Sequence, residues 1–245
     1  MSLASEIIES RIKKLFPGSC EKILLILPPE TIEQNFSTEL ILNKRIPSYP
    51  PYSCGILARN LKEHHYTPEI IDLNFILLCS VHENTANFNY RIWEEKLSDK
   101  INEFQPDFIG ISTLFTIAHE SMVNVIQYVK KKYPKIPIIV GGVNISNDTE
   151  KILRVCPEID FGMFSEGDVA FPDFIDVINK KLPIEKISHI AILDNNQFVS
   201  TNERISPVIN YSNIKKTQPD YLDLPVGDYS KYGAIGAYNF FELGT

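Results

Sequence analysis

The sequence predicts an α/β fold in which helices cover both faces of a doubly wound, five-stranded, mainly parallel sheet. Short apolar runs alternate with longer amphipathic segments, which is the pattern of β-α-β units with right-handed crossovers. Several runs lack polar alternation, as is typical of strands buried on both faces. A Rossmann-like or flavodoxin-like strand order is the expectation for such a sheet. The runs are KILLIL (22–27), PEIID (68–72), DFIGIS (107–112), PIIVGG (137–142) and IDFGMF (159–164).

The segments between these runs carry apolar residues at helical spacing, and each predicts a helix. In the longest pattern, Met122, Val125, Ile126 and Val129 lie on one helical face. Pro172 stands near the start of another segment, where proline is tolerated. The predicted helices are YSCGILARNLKEHH, YRIWEEKLSDKINEF, AHESMVNVIQYVKKKY, DTEKILRVC and DVAFPDFIDVINK.

Three parts are predicted along the chain: an N-terminal helix at 1–20, a Rossmann-like domain at 21–183, and a hairpin with a linker at 184–245. The small hairpin turns at Asn195 and Asn196. The residues after it are rich in Pro, Tyr, Gly and Asp, which is typical of an extended C-terminal connector. Because the chain stops on the apolar run NFFELGT, we expect it to be part of a longer protein.

Composition is that of an ordinary globular protein and limits the classes of function. The 245 residues are 44% hydrophobic and 22% charged, with a net charge of −7. Because Lys and Arg are not clustered beyond VKKKYPK, we expect no nucleic-acid partner. No segment reaches the roughly 18 apolar residues that span a bilayer, so we expect no membrane partner.

The four cysteines, Cys20, Cys54, Cys79 and Cys156, are far apart in the sequence. No C-x-x-C pair or cysteine cluster of the kind that holds zinc or an iron–sulfur centre is present. We therefore expect no metal site within this chain. Buried, reduced thiols in a cytoplasmic protein are the simplest interpretation.

Ligands of open α/β sheets bind beyond the carboxyl ends of the strands. Ser112 and Thr113 place hydroxyls at one such end, where they either contact a ligand or cap a helix. Gly141 and Gly142 permit either close approach of a ligand or an ordinary tight turn. Neither G-x-G-x-x-G nor a phosphate-binding loop is present. The loops at the predicted carboxyl edge are 28–55, 112–119, 141–147 and 164–168.

The FSEGD segment places two carboxylates, Glu166 and Asp168, around Gly167 before a predicted helix. A carboxylate pair is what acid–base catalysis requires, but no nucleophile or histidine is near in sequence. We therefore expect Asp168 to cap the helix and Glu166 to accept a hydrogen bond from a ligand or a neighbouring loop. His119 is the one histidine near the predicted ligand edge. No residue is assigned a catalytic role.

Taken together, these motifs resemble those of cobalamin-binding domains. Ser112, Thr113 and Leu114, followed after 26 residues by Gly141 and Gly142, resemble the S-x-L … G-G pair of that family. The resemblance implies that the two loops line a slot for the nucleotide tail of the cofactor. In the family, a D-x-H-x-x-G motif also follows the first strand, and its histidine ligates cobalt from below.

This chain departs from that motif. If Gly55 is aligned with the glycine of the motif, Pro50 takes the aspartate position and Tyr52 takes the histidine position. The departure argues against a lower histidine ligand. It also separates this chain from the methyltransferase and mutase branches of the family.

A second set of motifs resembles the N-terminal domain of cobalamin-dependent radical S-adenosylmethionine (radical SAM) proteins. The segments are P-x-x-x-G-x-L-A-x-x-L (51–61), IIDLN, PDFIGIS, PIIVGGVNIS and SEGD, in which Ser165 replaces the first glycine of the usual G-E-G-[ED]. The resemblance implies a cobalamin cofactor and a partner domain, the protein's own C-terminal radical SAM domain. That domain would hold a [4Fe–4S] cluster and S-adenosylmethionine.

The resemblance implies an accessory domain that binds cobalamin in the His-off state and is not catalytic by itself. Methyl transfer is one reaction that the resemblance allows for the full-length protein. One alternative is a degenerate scaffold that serves substrate recognition or packing without a cofactor. Another is a flavin- or nucleotide-binding flavodoxin-like protein. The implied cofactor-binding residues are Tyr52, Ser53, Gly55, Ser112, Thr113, Leu114, Gly141, Gly142, Val143, Asn144, Glu166 and Gly167.

Overall fold

The computed structural model describes residues 3–46, 48–201 and 218–232. Much of the predicted connector and the apolar C-terminal run lie outside these residues. The described chain forms a single seven-stranded sheet in the order β2-β1-β3-β4-β5-β6-β7. The strands are β1 (Lys22–Leu27), β2 (Thr67–Asp72), β3 (Phe108–Ser112), β4 (Ile138–Gly141), β5 (Phe161–Met163), β6 (Ile190–Asp194) and β7 (Gln197–Ser200).

The first five strands are parallel and follow the flavodoxin-like order 2-1-3-4-5, which confirms the predicted fold class. The sheet has seven strands rather than five because the predicted hairpin does not stand apart. Its first strand, β6, pairs antiparallel with β5 through Gly162 and Ala191, and β7 pairs with β6. The hairpin therefore covers the edge that β5 would otherwise expose.

Helices cover both faces of the sheet at the positions that the periodicity predicts. The helix α4 follows β2 directly and was not predicted, since its apolar residues surround it and leave no amphipathic stripe. The helices are α1 (Leu3–Leu15), α2 (Thr38–Leu42), α3 (Tyr52–Glu63), α4 (Leu73–Glu83), α5 (Ile92–Phe104), α6 (His119–Lys132), α7 (Val143–Asn147), α8 (Thr149–Val155), α9 (Gly167–Ile178) and α10 (Val226–Tyr232).

Successive residues of β1 point into two different cores, as the pleat of a strand requires. Ile23 and Leu25 pack with α1, α3 and α9, whereas Leu24 and Ile26 pack with α4, α5 and α6. The N-terminal helix belongs to the first core through two buried isoleucines. Within the described ranges, every helix is too short or too polar to cross a membrane.

Candidate functional site

A cavity of about 110 Å³ opens at the carboxyl ends of the parallel strands, between α3 and α9. Its volume is roughly ten times what one water molecule needs. This is the edge at which open α/β sheets bind ligands. Of the twelve predicted site residues, all within the described ranges, the structure places five in the wall of the cavity: Ser53, Ser112, Gly141, Gly142 and Gly167.

The inner wall of the cavity consists of residues that the sequence did not single out for a site. On α3 and α9 they are Cys54, Leu57 and Phe171, and on the strands they include Gly110 and Met163. The helical residues carry the same periodicity as ordinary core residues, so no signal distinguishes them. Gly110 did carry a signal, because a glycine inside an apolar strand marks a close approach.

The two glycines at the end of β4 differ in what surrounds them. A Cβ built on Gly141 would find its nearest atom, the carbonyl oxygen of Met163, at 3.7 Å, which is ordinary van der Waals distance. Gly142 has φ of +102°, and a Cβ there would overlap the carbonyl oxygen of Thr113. Gly141 therefore leaves space at the cavity wall, whereas Gly142 allows two backbone segments to touch.

Thr113 joins the loops after β3 and β4. It is 1% exposed, its amide donates to Gly141 O at 3.0 Å, and its own carbonyl oxygen accepts from Asn144 N at 3.3 Å. The side chain of Thr113 faces Met122, with its hydroxyl 3.5 Å from Sδ. Thr113 thus lies behind the cavity wall and connects the two loops that form it. The Nδ2 atom of Asn144 is buried and has no hydrogen-bond partner among the described residues.

Exposed apolar side chains lie close in sequence to residues that line the cavity. Tyr52 is 58% exposed at the start of α3, and Leu114 and Phe115 are similarly exposed in the loop after β3. Val143 and Val169 occupy the first turns of α7 and α9. Because these elements all begin or end at the same edge of the sheet, the five residues lie at the edge on which the cavity opens, and we call them the apolar rim.

Asp168 does not behave as the sequence predicts. Helix α9 begins at Gly167 with Glu166 as its N-cap residue, and no side chain caps it. The prediction that Asp168 caps this helix is therefore wrong. Asp168 instead stands at the mouth of the cavity, where partial burial raises the pKa of its carboxyl. Its backbone carbonyl accepts from Asn60 Nδ2 at 2.7 Å, which ties α9 to α3.

Gly55 lies beneath a returning segment of the chain. A Cβ on Gly55 would lie 2.6 Å from Cβ of Pro219 and 3.2 Å from the ring of Tyr221. Gly55 O accepts from Asp220 N at 3.0 Å, and Asp220 also pairs with Lys62 at 2.8 Å. In this structure the absence of a side chain at Gly55 therefore allows residues 218–221 to pack against α3.

The same segment ends in the helix α10, where an extended connector was predicted. Tyr229 of α10 is 1% exposed, stacks on Phe75 with ring centroids 3.8 Å apart, and donates a hydrogen bond to Asp72 Oδ2 at 2.9 Å. Asp72 ends β2, and its other oxygen caps α4 by accepting from Phe75 N at 2.8 Å. Residues 218–232 are thus docked on the domain next to the cavity.

Replacing Asp72 by asparagine is expected to raise the free energy of unfolding above that of the wild type. This gain should be larger at high pH than at low pH. Burial raises the pKa of Asp72 to about 6, against the effect of the hydrogen bonds from Phe75 and Tyr229. The folded state therefore holds this proton more tightly, and wild-type stability falls as pH rises from about 4 through 6, by up to ~3 kcal/mol. Asparagine cannot ionise and retains an oxygen for the helix cap.

The measurement is urea unfolding of both proteins at pH 4.5 and pH 7.5. The difference in unfolding free energy, variant minus wild type, should grow by about 2 kcal/mol between the two values of pH. Taking this difference cancels the titration of all other groups. A difference that is the same at both values would contradict a raised pKa for Asp72.

Comparison with known proteins gives one matching family model, described as B12 binding domain, over residues 41–175. This range is more than half of the chain. An uncharacterized methyltransferase of Pyrococcus horikoshii is 26% identical over 214 residues, which cover 86% of this chain and 40% of that protein. The chain thus spans about two fifths of that curated relative.

Two solved structures share the fold. The radical S-adenosylmethionine methyltransferase TsrM from Kitasatospora setae superposes with a TM-score of 0.54 at 15% identity, over 74% of this chain and 30% of that one. The cobalamin-dependent S-adenosylmethionine radical enzyme OxsB, with aqua-cobalamin and S-adenosylmethionine bound, gives 0.56 at 20% identity, over 88% of this chain and 26% of that one.

Proposed function

The chain belongs to the B12 binding domain family, and from this premise we propose that it holds cobalamin across the carboxyl ends of its strands, His-off, as one part of a radical SAM protein. The observation that carries the proposal is the cavity, which opens at the family's ligand edge between Ser112 and Gly141. A cofactor tail that enters there needs small residues at the entrance, since larger side chains would fill it.

The residues present fit this cofactor at two points. The entrance is lined by serine and glycine, and the missing Cβ of Gly141 leaves space beside Met163. The apolar rim supplies a surface on which the flat corrin ring would lose water at little cost, because apolar area is favourably buried.

His-off binding is supported by what stands at the position of the family histidine. Tyr52 occupies it at the start of α3, and a hydroxyl provides no neutral nitrogen ligand. None of the described residues that line the cavity is a histidine. His119 begins α6 at the same edge of the sheet, but it does not line the cavity. Cobalt would therefore have no side-chain nitrogen beneath it.

When bound, cobalamin would carry the methyl group, and the protein would bind and orient the cofactor. The link to radical SAM chemistry is supported by the segments 51–61 and 137–146 and by the two radical SAM enzymes whose structures share the fold. Docking of residues 218–232 beside the cavity would fix where the chain leaves this domain. The four reduced cysteines support a cytoplasmic location.

Purified protein is expected to retain about one hydroxocobalamin per chain through desalting, with the visible spectrum of the base-off form. After reduction to cob(II)alamin, electron paramagnetic resonance should show no nitrogen superhyperfine splitting. In the Tyr52→His variant, an imidazole would replace the phenol beneath cobalt, so the triplet splitting of one axial nitrogen should appear. Absorbance measures how much cofactor is retained, and electron paramagnetic resonance identifies the lower ligand of cobalt.

Val155→His is the matched control, because Val155 is also exposed but lies at the far end of α8. It should leave the spectrum unchanged. No retention by the wild type at high micromolar cobalamin would overturn cofactor binding and favour a scaffold without cofactor. Nitrogen splitting in the wild type would show that a nitrogen, from a side chain or from the cofactor's own base, ligates cobalt, and it would overturn the base-off, His-off state.

A further inference from the structure

A histidine and two aspartates meet where α3 and α9 end, at the edge of the sheet opposite the cavity. His64 is the residue that ends α3, and Asp173 and Asp176 lie in the last two turns of α9. One atom of each side chain, His64 Nδ1 and a carboxylate oxygen of each aspartate, lies within 4.8 Å of the others. Because 112 residues separate His64 from Asp176, no motif in the sequence links them.

The local charge at this position favours a cation. Asp176 is only 9% exposed, and Asp173 lies one helical turn before it on the same face of α9. Carboxylates late in a helix oppose its dipole, whose C-terminal end is negative, and α9 has no basic residue in its last turn. Since α3 also ends here, the carbonyl ends of two helices add to the charge of the two carboxylates.

The carboxylate of Asp176 is held in one orientation by a second layer of side chains. Tyr66, which is 5% exposed, donates to Asp176 Oδ1 at 2.6 Å, and Asn179 Nδ2 donates to the Tyr66 hydroxyl at 3.2 Å. The backbone of Cys20 fixes the amide of Asn179 through two hydrogen bonds of 2.8 Å. Oδ2 of Asp176 is left facing His64 Nδ1 at 2.8 Å. Side chains that ligate metal ions are oriented by hydrogen bonds of this kind.

Two lysines compete for the negative charge of the cluster. Lys181 Nζ lies 3.7 Å from Asp176 Oδ1, and its side chain is 49% exposed. An exposed ion pair at this distance is weak, and Lys181 approaches the oxygen that Tyr66 already holds. Lys186 acts on Asp173 through its charge. Neither lysine lies between Asp176 Oδ2 and His64 Nδ1, which are in direct contact.

We propose that His64, Asp173 and Asp176 form a site for a divalent transition-metal ion, of which Zn²⁺ is the best match. Zn²⁺ takes imidazole nitrogen and carboxylate oxygen at about 2.0–2.2 Å, and water would fill the fourth position. Ligand atoms of such a tetrahedron are about 3.3 Å apart, so His64 and Asp176 have to separate slightly. The ion replaces the proton between Nδ1 and Oδ2, and the imidazole keeps its proton on Nε2.

A metal ion at this position would join α3 to α9. The same two helices form walls of the cavity at their other ends, through residues that include Leu57 and Phe171. The ion would therefore fix the spacing of the cavity walls from the far edge of the sheet. His64 is half-buried, so solvent gives the ion a route to the site.

The experiment titrates Zn²⁺ into protein that a chelator has freed of metal, and it follows binding by calorimetry and stability by urea unfolding. The wild type should bind a single Zn²⁺ per chain and unfold at a higher urea concentration when Zn²⁺ is present. Tyr66→Phe removes only the hydroxyl that orients Asp176, so its affinity for Zn²⁺ should fall about tenfold. His64→Asn removes a ligand, and its affinity should fall roughly 100-fold or more.

His65→Asn is the matched control for His64→Asn. His65 is the adjacent residue and is exposed, and asparagine tolerates its positive φ of 66°. This variant should bind Zn²⁺ as the wild type does. Asp173→Asn is a second variant that lacks a ligand, and it keeps the contacts of Asp176 with Tyr66 and His64. It should also lose affinity for Zn²⁺, while its unfolding without metal stays close to that of the wild type.

Two results would overturn the inference. If the wild type does not bind Zn²⁺, His64 and Asp176 form an ordinary ion pair and no metal site exists there. If Zn²⁺ binds with unchanged affinity in both His64→Asn and Asp173→Asn, the ion lies elsewhere on the protein. Neither measurement involves cobalamin, so the inference stands or fails independently of the proposed function.

Discussion

Replacing Gly141 by leucine is expected to abolish retention of cobalamin while leaving the protein folded. Gly141 ends β4 and lines the cavity, and its Cβ position has nothing closer than 3.7 Å. A first side-chain atom is therefore accommodated, and the longer leucine side chain extends into the space that the cofactor tail would need. Affinity should fall by roughly 100-fold, or about 3 kcal/mol.

Gly18→Leu is the matched control for this substitution. Gly18 precedes β1, at the opposite edge of the sheet, and a Cβ there has no neighbour within 4 Å. This variant should retain cobalamin as the wild type does. Urea unfolding of Gly141→Leu should differ from that of the wild type by about 1 kcal/mol or less, because the side chain enters a cavity. Undiminished cobalamin binding by folded Gly141→Leu would remove this cavity from the site.

Local signals in the sequence are sufficient to predict the strands and the loops at their carboxyl ends. Apolar runs without alternation predict buried parallel strands, and parallel strands bring their ends to one edge. For that reason the sequence alone places Ser112 and Gly141 together, although they are about thirty residues apart. The pairing of Ser112 with Gly141 in the sheet confirms that placement.

Other parts of the site depend on contacts between distant residues and could not be predicted locally. The fit of Gly55 against Pro219 joins positions far apart in the chain, and no period or motif links them. Tyr229 stands in a segment whose composition is typical of a connector, yet its ring is buried on Phe75. Tertiary packing produced a docked helix where local propensity favoured an extended chain.

The tandem glycines show how one motif can serve two physical needs. In the sequence, Gly141 and Gly142 are equivalent candidates for the wall of a ligand slot. Both line the cavity, yet only Gly142 has a positive φ and a backbone neighbour where its side chain would be. If a substitution of Gly142 abolished binding, the cause could therefore be a distorted loop as well as a blocked cavity.

Replacing Gly142 by alanine is expected to destabilise the protein by about 3 kcal/mol. A residue with a side chain is strained at φ of +102°, and the added Cβ would overlap Thr113 O and lie 3.0 Å from the Thr113 carbonyl carbon. Backbone cannot move aside here, because Thr113 N bonds to Gly141 O and Thr113 O accepts from Asn144 N. Relief of the overlap would break the connection between the loops after β3 and β4.

Urea unfolding of Gly142→Ala beside Gly141→Ala provides the measurement, since the two variants add the same methyl group to adjacent positions. Gly141→Ala should stay within about 1 kcal/mol of the wild type, because its Cβ meets only ordinary van der Waals contacts. Equal stability of the two alanine variants would show that the closure between Thr113 and Gly142 contributes nothing. A large loss in Gly142→Ala alone would identify this closure as the support of the cavity wall that Gly141 forms.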